Sequence, residues 1–86
     1  MTDLILPVVH LNGTSRDELI EQRITFGQAL RAAVDALQGA APNGRDYYVE
    51  PGRLEAATAQ FQRRADLLRG MLAEVTAEIE ALDEEG

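Results

Sequence analysis

The sequence predicts a mainly α-helical protein: an N-terminal extended arm or short strand, then an antiparallel helical hairpin that oligomerises. Two long stretches repeat their apolar residues with a helical period, the second as an unbroken heptad series. Turn-forming residues gather in two places, 10–15 and 39–52, which leaves room for two helices. The chain has 86 residues, with two Phe, two Tyr and no Trp. A domain that small buries well under ~70% of the surface its unfolded chain exposes. It is therefore expected to be one domain, residues 1–86, that relies on copies of itself for burial.

The arm comes first. Residues 3–9, Asp-Leu-Ile-Leu-Pro-Val-Val, are apolar and β-branched toward the end, which reads as extended chain. Pro7 demotes a strand there to an edge or a bulge. A lone strand leaves its backbone groups unpaired, so it must find another chain or lie on the helices. The turn His10-Leu11-Asn12-Gly13-Thr14-Ser15 follows. Thr14 or Ser15 can cap a helix, and Asp17, Glu18 and Glu21 load its first turns with favourable negative charge.

The first helix is expected over about 16–38, stopping at Gly39 with Pro42 beyond. At 100° per residue, Leu19, Ile20, Ile24, Phe26, Gly27, Leu30, Ala33, Val34 and Leu37 cover about half the circumference. That stripe is wider than a two-helix seam needs. The loop 39–52 is long for a helical hairpin, where ~2–8 residues are usual. Asn43-Gly44 marks a turn, and Tyr47-Tyr48-Val49 allows a short extended piece. The second helix is expected over about 53–84. Phe61, Leu68, Val75 and Leu82 form one heptad row, and Ala65, Leu72 and Ile79 the other. Lengths of about 35 and 45 Å do not match, so the far end of the second helix should protrude or meet another subunit.

Fifteen acids against eight bases give a net charge of -7, which argues against general nucleic-acid binding. The excess is local. Residues 70–86 hold six acids and no base, so mimicry of DNA is conceivable only at that helix end. All eight bases are Arg, in keeping with a GC-rich coding sequence that also supplies 13 Ala. There is no cysteine, which removes disulfides and thiolate chemistry. No window approaches the ~20 apolar residues of a membrane span, and no secretory signal is expected. A cytoplasmic protein is the expectation.

No enzyme constellation is recognisable. His10 lacks partners at zinc spacing, the glycine-rich nucleotide signatures are missing, and nothing orients a His10–Ser15 pair. No catalytic residue, metal or cofactor is expected. Binding has better support. Gly13-Thr14-Ser15 at a helix start offers backbone N–H groups, two hydroxyls and the positive dipole end to an anion, although an ordinary cap needs the same residues. His10 and Asn12 exceed what capping requires. In the second loop Arg45 can clamp an anion, Tyr47 or Tyr48 can stack on a base, and Asn43 or Asp46 can read polar edges. The bland alternative has the tyrosines plugging the hairpin end while Arg45 pairs with Asp46 or Glu50. Arg23 sits within the apolar arc and Arg64 at its border, each expected either to pair with a facing acid or to hold a ligand anion between subunits.

The runs His10-Leu11-Asn12-Gly13-Thr14-Ser15 and Ala41-Pro42-Asn43-Gly44-Arg45-Asp46-Tyr47-Tyr48, with the Ala- and Arg-rich second helix, resemble a family of small phage- and prophage-encoded orphan proteins. In size and build the chain is also similar to phage anti-defence sponges, helical oligomers that sequester nucleotide signals. That similarity implies a non-enzymatic protein holding a small anionic, nucleotide-like ligand. The other class is a protein-interaction module, such as an anti-CRISPR-like inhibitor or virion-assembly protein, whose host or virion partner meets helix 2 or its acidic end.

Overall fold

A computed structural model describes residues 3–84. It contains two long helices, α1 (Arg16–Gln38) and α2 (Gly52–Glu84), with a single 3-10 turn at Gly44–Asp46 between them. The two helices pack along each other as a hairpin, 62 Å in its longest dimension and 24 by 18 Å across. No described helix is long and apolar enough to cross a membrane.

Each helix boundary has a local cause. Ser15, not Thr14, is the N-cap of α1: its backbone is extended (φ -66°, ψ 157°) and its side chain accepts a hydrogen bond from Glu18 N. Asp17 and Glu18 occupy the first turn, where the helix dipole favours them. At the other end Gly39 keeps a right-handed backbone, φ -70° and ψ -15°, so its freedom to turn left-handed is unused. The helix instead tightens: Gly39, Ala40 and Ala41 each donate three residues back, to Ala36, Leu37 and Gln38. Pro42 then has no N–H to continue the ladder.

The core is a thin seam. Leu19 and Leu30 of α1 face Ala65, Val75 and Leu82 of α2, and Leu82 is wholly buried. Both heptad rows point inward: Phe61, Leu68, Leu72 and Ile79 are half-buried beside the three buried members. On α1 the stripe narrows. Ile20, Gly27, Ala33, Val34 and Leu37 are half-buried, but Phe26 is 47% exposed and Ile24 38%. A single neighbouring helix covers only part of a half-circumference face.

Two expectations are corrected. Of the extended arm or short strand expected over residues 3–9, the strand is not formed, because no second strand stands beside them among the described residues to take up their backbone groups. Leu4, Leu6 and Val9 are half-buried, whereas Ile5 and Val8 are exposed. The expected overhang lies at the other end of α2. Arg23 meets Glu78, and a Cβ on Gly27 would touch Val75 and Leu72, so facing residues have numbers that sum to about 101. Residue 16 therefore stands opposite the last turn of α2, where Leu82 is buried rather than protruding. Gln38 stands opposite residue 63, and the first turns of α2 run about 16 Å past α1. The connecting loop lies along that overhang, with Gly44 against Leu54. The length mismatch is thus absorbed by a loop long enough to cover it.

Candidate functional site

At the N-terminus of α1, Gly13 N donates to His10 O at 3.1 Å and closes the 10–13 turn. The turn folds the His10 imidazole back over Gly13, and a Cβ built there would lie 2.7 Å from Nε2. A side chain at position 13 would push that exposed imidazole aside. Ser15 Oγ accepts from Glu18 N at 3.2 Å, so its lone pairs are partly committed to the cap. Beside the turn opens a surface cavity of about 550 Å³ lined by Val9, His10, Leu11, Gly13, Ser15, Arg16 and Asp17. Three expected residues line it: His10, Gly13 and Ser15. Asn12 and Thr14 are exposed and outside the lining.

Arg16 and Asp17 were not among the residues expected from sequence to touch a ligand. The usable signal was positional, since the first two helical residues flank any cavity at an N-cap. Arg16 brings positive charge beside the N–H groups of the first turn, and Asp17 brings a carboxylate to the same rim. An anion there is favoured by the dipole and Arg16 and opposed by Asp17 and by the acidic last turn of α2, with Asp83 and Glu84, that stands opposite residue 16.

At the other end, Asn43 caps the 3-10 turn, its side chain accepting from Arg45 N at 3.0 Å while Asp46 N donates to Asn43 O. Asn43 therefore shapes the loop before it can serve a ligand. Tyr47 N donates to Gly44 O and Glu50 N to Tyr47 O, so residues 44–50 form successive turns, not an extended piece. Tyr47 is half-buried, while Tyr48 is 79% exposed with Arg45 and Asp46 beside it in sequence and also exposed. Glu50 pairs with Arg53 across 2.6 Å, not with Arg45. The exposed trio offers one cation, one anion and one stacking ring.

Arg23 does not join either end. Its Nε donates to Glu78 Oε1 at 2.6 Å, and Nη1 reaches Leu19 O and Gln22 Oε1. Of the two outcomes foreseen for it, pairing with a facing acid is the one realised. Arg64 is exposed on the flank of α2.

The two loops are not brought together within one chain. They lie at opposite ends of α1, whose 23 residues span about 35 Å. A ligand bridging both must bridge two chains. No cluster of three or more His, Asp or Glu able to hold a metal occurs among the described residues. No protein-family model, curated protein or solved structure matches the chain.

Proposed function

We propose that this protein is a non-enzymatic binding protein that holds, and so withdraws from solution, a small anionic, nucleotide-like molecule. The supporting observation is the cavity at the N-terminus of α1, where helix N–H groups, His10 and Arg16 meet in about 550 Å³. Phosphate groups match the charge of such a helix start. Exposed Tyr48 and Arg45 supply stacking and charge at the opposite end. Sequestration needs affinity and slow release but no chemistry. A phage role in blunting a host nucleotide signal, in the bacterial cytoplasm, follows from the resemblance of the 10–15 and 41–48 runs.

Titration calorimetry and thermal shift against cyclic dinucleotides, cyclic oligonucleotides and ADP-ribose derivatives test this reading. A true ligand at 100 times its Kd stabilises the fold by about 2.7 kcal/mol. Folded protein with no response across the panel refutes the reading. With a ligand in hand, Arg16→Ala and Gly13→Ala weaken binding, the second by displacing His10. Unchanged affinity in both moves the site elsewhere.

The second reading, a protein-interaction module, draws on the acidic end of α2, where Glu74, Glu80, Asp83 and Glu84 are exposed. Its test is whether a host or virion protein binds the isolated chain and is lost when those four acids are replaced by their amides.

A further inference from the structure

Phe26, Leu67 and Met71 share one face of the hairpin. At 100° per residue, Phe26 projects from the flank of α1 turned away from Ile24, and Leu67 and Met71 from the flank of α2 turned away from Leu72 and Thr76. Ile24, Leu72 and Thr76 line a groove together, so the three exposed residues stand on the opposite side. Because α2 runs the length of the hairpin, its numbering measures height. Phe26 stands opposite residue 75, from the pairing of Arg23 with Glu78 and the approach of Gly27 to Val75 and Leu72. The apolar face thus spans heights 67 to 75 and centres on Met71.

The geometry points to a second copy of this chain, seated antiparallel on that face about a two-fold axis through Met71, to give a four-helix bundle. The area calls for an occupant. The chain exposes 6593 Å², against about 5,000 Å² for a compact monomer of its mass. The difference exceeds the ~800 Å² per partner of a standard interface. Charge sets the direction. At 100° per residue Arg64 and Glu78 lie within about 20° of Met71, whereas Glu80 lines the groove on the far side. A parallel pair would set Glu78 against Glu78 and Arg64 against Arg64, and the antiparallel pair places height 78 of one copy opposite height 64 of the other, acid against base. Aromatic and Met side chains at the centre of the face match what homodimer cores use.

The same axis has a consequence for the ligand. Height 84, where the N-terminus of α1 lies, is carried to height 58 of the second copy. Gly44 rests against Leu54, four residues or about 6 Å farther along. The 10–15 turn of each copy therefore comes level with the Arg45–Tyr48 loop of the other, and the two motifs separated by α1 in one chain meet across the dimer. Two composite sites result, each with a helix N-terminus and Arg16 from one copy and Arg45 and Tyr48 from the other. This composite site rests on the proposed anion binding. The pairing does not, and it is measured without ligand.

Light scattering after gel filtration, at tens of micromolar protein, is expected to give about twice the 9.4 kDa chain mass. Phe26→Glu and Met71→Glu are each expected to return the mass to that of one chain while helical circular dichroism persists. Asp17→Cys provides a unique spin-label site because the chain has no cysteine. Its label-to-label distance is expected near 40 Å for the antiparallel pair, against less than about 25 Å for a parallel one. A monomeric wild type, pairing that survives both substitutions, or a short label distance overturns the proposal. A monomer would leave ligand binding at one end possible, whereas an intact dimer with no ligand response would refute only the function.

Discussion

Gly27 stands in the middle of α1, half-buried and facing α2, where a seam glycine is ordinarily read as a point of close helix contact. The geometry says otherwise. A Cβ placed there meets only Val75 Cγ1 at 3.8 Å and Leu72 Cδ1 at 3.9 Å, which is ordinary van der Waals contact. Gly27→Ala should therefore stabilise the protein. Glycine in a helix interior costs about 0.8–1 kcal/mol relative to alanine. A fully buried methylene is worth about 0.8 kcal/mol, and a half-buried methyl roughly half of that. The sum is about 1.2–1.4 kcal/mol, or a Tm rise of about 5–11 °C for a chain of this length. The assay is urea and thermal unfolding followed by helical circular dichroism at one fixed protein concentration, since self-association makes Tm concentration-dependent. Cm should rise with an unchanged m-value. Gly70→Ala is the control: it lies in α2 with nothing within 4 Å of its Cβ, so it should gain the propensity alone. A loss of stability in Gly27→Ala alongside a gain in Gly70→Ala would refute the reasoning, because the helices would then approach too closely for a methyl.

Leu82→Ala should cost about 2–4 kcal/mol, because Leu82 is fully buried and its removal leaves a cavity. Val49→Ala, 84% exposed, should change stability by less than about 0.5 kcal/mol in the same denaturation assay. Ser15→Ala removes the acceptor of Glu18 N and should cost about 1 kcal/mol, whereas Ser15→Gly should cost only a few tenths, measured by thermal melts. A double-mutant cycle on Arg23 and Glu78, with side chains 24% and 21% exposed, should give a coupling of about 1 kcal/mol that shrinks in high salt.

The helical content was legible because its determinants are local. Capping residues at 14–15, acids in the first turn, Pro42 and the heptads of 61–82 all act within a few residues of where they stand. Over 3–9, where an extended arm or a short strand was expected, no strand forms for the complementary reason: its β-branched residues express a preference that only a neighbouring strand can realise. The site divides the same way. That Gly13 and Ser15 shape a helix start could be read directly, as could Asn43 shaping a turn. Arg16, placed on the cavity rim by the path of residues 9–13, could not. Arg23 was legible as a charge within an apolar arc, but its partner Glu78 lies 55 positions away and depends on helix register.

Taken alone, then, the sequence determined two helices, their capped ends and the faces they bury, since hydrophobic period and capping are short-range physics. The tertiary register decided the rest. With facing residues summing to about 101, the C-terminus of α2 is covered, the overhang moves to the loop end, and 35 Å of α1 separates the two polar loops. Register arises from how Leu19, Leu30, Val75 and Leu82 interlock across the seam, a many-body packing choice that no window of sequence contains.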